Sequence, residues 1–317
     1  MKILENKDWL NNLEDKTTSN VKKYLEILDI DFSNQIKILV SGNSFRVTTL
    51  TTLKEVLNTK KFYSGTIEFN SEVENAISYK NRRIDDESLE FHIGCIKTIY
   101  EENNLEIGYN EAIFLAGLNF FREQKAPIII VEDAFDFVNE IDYNHKLLTD
   151  YIEDKSIYSY NKLNEKDIYL YKSELCSFSY KNLDYDVLNY GSFNAYSYIL
   201  ALSFLEDYYP ELKSKKTRKI VNDIKPNLIY ERVNLNPRII LHYITSDSDL
   251  ETSINNLKNI TDRNIVTISN LESDLVNHTI RDTNELKDII NGVSSSDIVF
   301  IVFNKFFVKD IRRFFIN

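Results

Sequence analysis

The sequence predicts an α/β fold, a doubly wound sheet followed by a second, smaller α/β unit. Short apolar runs of strand length, such as Ile36-Lys37-Ile38-Leu39-Val40 and Ile128-Ile129-Ile130-Val131, alternate with longer stretches whose apolar residues recur at helical spacing. The second run is apolar throughout, as a strand buried on both faces requires. The alternation then recurs in the last third of the chain, with no internal repeat, low-complexity tract or long linker between.

The elements follow in order. Residues 8–29 predict helices, with Trp9, Leu10 and Leu13 on one face and Val21, Tyr24, Leu25 and Leu28 on the next. The strand at Ile36–Val40 ends at Ser41-Gly42. A helix over 48–58 turns Leu50, Leu53, Val56 and Leu57 inward. A strand over 61–69, a helix over 85–102, an apolar helix over 109–123 and a strand over 126–132 complete the first unit. Residues 143–188 are polar and rich in tyrosine, with short strands expected at 167–172 and 175–180. A helix over 194–208 is read as continued by 216–223, and Pro226 falls near a boundary. Strands at 238–243, 264–268 and 297–303, with helices at 248–258, 284–291 and 307–316, form the second unit. The expected division is 1–228 and 229–317.

Composition narrows the function. The formal charge of −11 and a pI near 5.0 disfavour phosphate backbones and anionic lipid as non-specific partners, so neither nucleic acid nor membrane is expected. No apolar run approaches spanning length, and the first residues lack an apolar leader core, which makes a cytoplasmic protein the expectation. Cys95 and Cys176 form no metal-type spacing, and both read as small buried residues. His92, His145, His242 and His278 show no paired spacing for a metal, and no G-x-S-x-G elbow is present. Tyrosines alternating with polar residues between 151 and 208 fit either a rim over a short sheet or a surface for a partner. Glycine is scarce: seven in 317 residues, about a third of the usual ~7%. Enzymes that cradle phosphates spend glycines on letting backbone amides approach the ligand.

Several degraded motifs occur in a telling order. The first strand runs into Ser41-Gly42-Asn43-Ser44-Phe45-Arg46-Val47-Thr48. Gly65-Thr66 precedes Ile67-Glu68-Phe69-Asn70, and Asn75 to Asn81 is followed by Ile84-Asp85-Asp86. Tyr109-Asn110-Glu111 starts a helix continued by Leu118 to Phe121, and Ile129-Ile130-Val131-Glu132 ends a strand. Tyr190-Gly191-Ser192-Phe193-Asn194-Ala195, Tyr230-Glu231-Arg232, His242 to Asp247 and Asp297 to Val308 complete the series. Together these resemble a shortened, active-site-stripped folylpolyglutamate synthase of the Mur-ligase-like class, over nearly the whole chain. The resemblance implies a Mur-ligase-like doubly wound (P-loop-type) sheet and a small, truncated Rossmann-like C-terminal α/β domain.

The resemblance also says what has changed. The first stretch stands where that family has a phosphate loop similar to T-G-T-N-G-K-G-S. Gly42 and Thr48 fit it, while Phe45 and Val47 replace glycines and Arg46 replaces the lysine. Side chains at 45 and 47 occupy the path of a phosphate, and a guanidinium does not reproduce a compact ammonium. Glu132 aligns with a metal-binding glutamate, or is simply a carboxylate at a strand end. Ile67 stands at a metal-binding serine and cannot coordinate magnesium. The segment that would hold the family's metal histidine and lysine is largely deleted.

The vestigial nucleotide-side candidates are therefore Gly42, Ser44, Arg46, Thr48, Asn194 and Arg232, with Glu132 for a metal. Asn194 reads equally as a helix N-cap, and Arg232 as an ion pair with Glu231. The expectation is a pseudoenzyme with no catalytic residue and no cofactor, acting as a structural or regulatory subunit for an unidentified protein partner. Two alternatives stand beside it. One is a diverged ATP- and magnesium-dependent ligase joining an amino acid such as glutamate to a folate-like carboxylate. The other is a non-catalytic binder of a small molecule.

Overall fold

The computed structural model describes residues 5–69, 73–171, 173–212, 215–225, 229–235, 237–244, 247, 249–304 and 307–315. Asn70, Lys172, Pro226, Thr245, Ser246, Lys305, Phe306 and residue 316, which enter the sequence reading, lie outside them. The chain forms two compact units. One runs to Ser41 and from Leu57 to Leu147; the other takes Gly42 to Val56 and everything from Leu148 onward.

Along the first part of the chain come α1 (Glu5–Asn11), α2 (Val21–Ile27), β1 (Ile36–Gly42), α3 (Arg46–Thr59), β2 (Ser64–Ile67), α4 (Val73–Ala76), β3 (Ile77–Tyr79), β4 (Arg82–Arg83), α5 (Asp86–Asn103), α6 (Tyr109–Glu123), β5 (Ile128–Glu132) and β6 (His145–Thr149). Their strands lie in the order β4-β3-β2-β5-β1-β6. β5 pairs in parallel with both β1 and β2, so it is central and buried at every position, as its unbroken apolar run predicts. β3 and β4 form an antiparallel hairpin whose two turn residues, Lys80 and Asn81, have positive φ of 55° and 59°. That is the backbone of a type I′ turn, which matches the strand twist.

Helix α6 anchors this unit. Every residue from Asn110 to Phe121 is buried, and Phe114, Leu118 and Phe121 join Ile67, Ile77, Ile93 and Ile129 in one core. Each such side chain contributes roughly 1.5–3 kcal/mol of burial. The helix start is fixed by a buried carboxylate. Glu111 accepts from the Gly108 amide at 2.8 Å, the Thr18 amide at 2.7 Å and the Thr18 hydroxyl at 2.8 Å.

The second unit continues with β7 (Tyr158–Ser159), β8 (Ile168–Leu170), β9 (Leu175–Tyr180), β10 (Leu183–Tyr190), α7 (Ala195–Tyr208), α8 (Lys215–Asn222), β11 (Glu231–Leu235), β12 (Arg238–Tyr243), α9 (Asp249–Lys258), β13 (Ile265–Ser269), β14 (His278–Thr279), α10 (Asn284–Gly292), β15 (Ile298–Phe303) and α11 (Val308–Phe315). Eight strands form one sheet in the order β14-β13-β15-β12-β11-β10-β9-β8. Its β14-β13-β15-β12 half is parallel and its β12-to-β8 half antiparallel. Because β10 pairs with β11, this sheet crosses the expected 228/229 division, and the compact units part elsewhere.

Strands β3, β4, β6, β7, β11 and β14 are additional to the sequence reading, and two further differences have a clear physical cause. α7 is not continued by 216–223: Pro210 follows its last residues, supplies no amide for the helix ladder, and α8 starts afresh at Lys215. β10 was not anticipated, although Tyr185, Val187 and Asn189 alternate inward along it. Lys181 and Asn182, with φ of 49° and 62°, turn β9 into β10 as Lys80-Asn81 turn β3 into β4.

Replacing Glu111 with alanine strands two backbone amides that it alone is seen to satisfy, and its own position is fully buried. The expected loss is about 3 kcal/mol in urea unfolding, since each orphaned buried donor costs roughly 1–3 kcal/mol. A loss below about 0.5 kcal/mol would show that the carboxylate is dispensable.

Candidate functional site

The candidate phosphate loop joins β1 to α3, and the amides of Phe45, Arg46 and Val47 are committed within it. Asn43 Oδ1 accepts from the Phe45 amide at 3.1 Å, as in an Asx turn. The Arg46 amide donates to the Asn43 carbonyl at 3.0 Å and the Val47 amide to the Ser44 carbonyl at 3.3 Å. Asn43 Oδ1 also accepts from the Thr149 hydroxyl at 3.2 Å. The loop starts at Gly42, whose φ of +111° suits glycine, and a Cβ there would meet Thr149 Oγ1 at 2.5 Å.

The side chains point the same way. Arg46 is 6% exposed, and its Nη1 donates to the Gly42 carbonyl at 2.8 Å. Phe45 stacks on Tyr230 with ring centroids 6.0 Å apart and planes inclined by 11°. It also meets Phe193 edge-on at 6.1 Å and His242 at 6.4 Å. Val47 is 2% exposed, in the same core as Tyr230, Ile240 and Phe300. Phe45 and Val47 are thus packing groups of the second unit.

Tyr230 itself is strained. It is fully buried at a φ of 47°, a region that a bulky residue rarely adopts. Its carbonyl accepts from the Tyr190 amide at 2.8 Å, its hydroxyl donates to the Ser253 carbonyl at 3.0 Å, and its ring lies 4.0 Å from the His242 ring. Ser253 spends its hydroxyl proton on the Asp249 carbonyl at 2.7 Å, so His242 Nε2 is the donor in the 3.0 Å contact with Ser253 Oγ. That fixes the tautomer and leaves Nδ1 a bare acceptor with no hydrogen-bond partner among the described residues. Burial alone lowers the His242 pKa from 6.5 to about 3.

The remaining candidates are dispersed. The Ser44 side chain is buried, and so is Thr48, whose Oγ1 has no hydrogen-bond partner among the described residues. Asn194 does not cap α7 with its side chain. Its Nδ2 instead donates to the Tyr190 and Gly191 carbonyls at 2.9 Å each, and its Oδ1 has no partner among the described residues. The loop and the start of α7 do meet, through Phe45 on Phe193 and through Thr49 Oγ1 donating to the Ser197 carbonyl at 3.0 Å. Arg232 lies on β11 opposite Ile240, half-buried. In the first unit, Glu132 is 1% exposed at the end of β5 and accepts from the Phe69 amide at 2.7 Å. The Phe69 ring is edge-on to Phe135 at 5.1 Å and Phe137 at 5.8 Å. Among the described residues no three His, Cys, Asp or Glu side chains converge as a metal site. No helix there is long and apolar enough to cross a membrane. Asn43 and Thr149, which organise the loop, escaped the sequence reading because their partnership spans over a hundred residues of chain.

No protein-family model matches the sequence, and no curated protein matches it. The fold does match solved structures. Folylpolyglutamate synthetase from Lactobacillus casei aligns with a TM-score of 0.76 at 12% identity, covering 99% of each chain. An FPGS–AMPPCP–folate complex aligns at 0.77 and 12%, covering 100% of each. Escherichia coli FolC in complex with DHPP and ADP aligns at 0.75 and 12%, covering 98% of this chain and 97% of that one. The α/β fold expected from the sequence is the fold these proteins share.

Two outcomes test the site as described. Phe45→Ala removes a ring from the aromatic stack of the second unit and should cost about 2–3 kcal/mol in denaturant unfolding; a neutral change would mean the ring does not pack there. His242 stays neutral in the folded protein below pH 6.5, while the unfolded chain takes up the proton. Stability should therefore fall between pH 6.5 and about 3, by roughly 2 kcal/mol at pH 5 from this group. His242→Gln should flatten that slope in urea titrations at several pH values, and an unchanged slope would refute the assignment.

Proposed function

We propose that this chain uses the folylpolyglutamate-synthetase fold as a scaffold, does not carry out ATP-dependent ligation, and serves as a structural or regulatory subunit for another protein. One observation carries the reading. Phe45 sits in the aromatic stack with Tyr230, Phe193 and His242, and the amides of Phe45, Arg46 and Val47 are donated within the loop. Two of the structures that share the fold hold AMPPCP or ADP. A nucleotide phosphate needs free amides at a loop and a mobile cation beside it. Here the amides of Phe45, Arg46 and Val47 are spent within the loop, and Arg46 is folded onto the Gly42 carbonyl. For magnesium, Glu132 is held by the Phe69 amide and no converging carboxylate or imidazole set accompanies it among the described residues. The donor set does not fit Mg-ATP.

A second reading has its own observation. Thr48 Oγ1 and Asn194 Oδ1 are buried oxygens without hydrogen-bond partners among the described residues. A diverged ligase that joins an amino acid such as glutamate to a folate-like carboxylate would use such oxygens, once the loop opened, for magnesium and the nucleotide.

Thermal unfolding with and without millimolar Mg-ATP, against Mg²⁺ alone, separates the two. Ligand at about a hundred times its dissociation constant adds about 2.7 kcal/mol to stability, a rise of a few degrees in Tm. The scaffold reading expects no rise. A magnesium-dependent rise would overturn it and favour the ligase.

A further inference from the structure

The tyrosine-rich segment builds a recess that the phosphate loop does not use. It lies in the second unit, has a volume of about 310 Å³, and is walled by Tyr151, Tyr160, Tyr196, Leu163, Ile168 and Glu165. That volume is at the small end of the ~300–1,000 Å³ range of small-molecule pockets. The tyrosines stand at angles around it. Tyr151 and Tyr160 have centroids 5.5 Å apart with planes inclined by 69°, and Tyr160 and Tyr196 are 5.7 Å apart at 50°. The rings pack edge-on or tilted against one another, and all three contribute surface to the one recess.

The electrostatics have one sign. Among the described residues that line the recess, Glu165 is the only charged one, and no lysine, arginine or histidine joins it. The Tyr151 pKa is raised by burial, then by Tyr196, Glu165 and Asp150. The Tyr160 pKa is raised mainly by burial, with Asp150, Tyr151 and Tyr196 adding to it. A ring quadrupole with a negative face, repeated three times beside a carboxylate, attracts a poorly hydrated cation. The loop that carries two of the rings is held in place. The Tyr160 amide donates to the Asp150 carbonyl at 3.1 Å, and the Ile152 amide donates to Asn161 Oδ1 at 3.1 Å.

We propose that Tyr151, Tyr160 and Tyr196, with Glu165, form a cage for an alkylated ammonium group. The rings enclose the methyl-bearing cation and the carboxylate neutralises it. A quaternary amine satisfies both requirements, because it has no N–H bonds to lose and its charge is spread over methyl groups. Such a group comes either from a free small amine or from a methylated lysine of a protein. This site is independent of the loop, so it stands whichever reading of the nucleotide side holds.

The test is a calorimetric or NMR titration of the full chain with choline and with choline's uncharged tert-butyl isostere. Choline should saturate, and the isostere should bind about tenfold more weakly, the difference expected for a cation over aromatic faces. Tyr151→Leu, Tyr196→Leu and Glu165→Gln should each weaken choline about three- to tenfold while leaving the far-UV circular dichroism and Tm unchanged. Tyr151 is 62% exposed, so its variant keeps the test decisive if the Tyr196 variant does not fold. A trimethyllysine peptide that binds about tenfold tighter than choline, with unmodified lysine peptide silent, identifies a protein ligand by its extra contacts. Equal affinity for peptide and choline identifies a free amine. Equal binding of choline and its isostere, binding indifferent to all three variants, or no binding of any cation overturns the proposal.

Discussion

The packing of Phe45 against Tyr230 is the contact on which the architecture of the loop after β1 depends. A loop at the end of a parallel strand, leading into a helix, is the standard place for a phosphate, because its amides converge there. In this chain the same loop is part of a hydrophobic core. Once Phe45 is inserted, the backbone must turn inward at Gly42, and Asn43 must bind the Phe45 amide. Arg46 then lies against the Gly42 carbonyl. Opening the loop for an anion would cost about 1 kcal/mol for each of three amide bonds, and about 2 kcal/mol more for withdrawing a partly buried ring. A micromolar ligand supplies about 8 kcal/mol, and these losses would consume more than half of it.

The stack explains the two anomalies beside it. Tyr230 holds a left-handed backbone at a cost of roughly 1–2 kcal/mol. The penalty is met locally by its two hydrogen bonds and by contacts with His242, Phe193 and Phe300. His242 is enclosed by Phe45, Tyr230 and Phe300, so it has no route to a compensating water network and is held neutral. A buried imidazole with one satisfied and one bare nitrogen is tolerable only while it carries no proton. The aromatic stack and the charge state of His242 therefore require each other.

Much of the fold was legible because its cores are apolar runs of distinct period. β5 is an apolar run closed by Glu132, β15 is apolar throughout, and α6 is buried on every face from Asn110 to Phe121; each matches the sequence reading within a residue or two. β10 was hidden by its own chemistry: its inward residues are Tyr185, Val187 and Asn189, and its outward ones include Asp184 and Asp186. Its alternation is real but half polar, and the turn before it is Lys181-Asn182, which lacks the glycine that marks most tight hairpins. At the site, the substitutions Phe45, Arg46 and Val47 were legible as residue types. The spending of the Phe45, Arg46 and Val47 amides was not, because an Asn at the start of such a loop suits an Asx turn and a phosphate loop alike. The tyrosine cage was visible only as composition. That Tyr151, Tyr160 and Tyr196 share one recess follows from the path of the chain between them.

The scarcity of glycine acquires a structural meaning from these contacts. Left-handed positions in this chain are held by Lys80, Asn81, Lys181, Asn182 and Tyr230 among others, at some local strain, where glycine would be free of it. At six of the seven glycines an added Cβ would come within 3.0 Å of a neighbour, Gly292 alone facing open space. At Gly65, in the middle of β2, an added Cβ would meet the Phe121 ring at 2.5 Å, and at Gly42 it would meet Thr149. In both places the glycine admits a neighbouring side chain of the protein. A glycine kept for a ligand admits something from solvent instead, and the positions where a phosphate would ask for that, 45 and 47, carry a phenylalanine and a valine. The distribution of glycine and the direction of the Phe45 ring are thus two consequences of one assignment, in which the loop after β1 is a packing element.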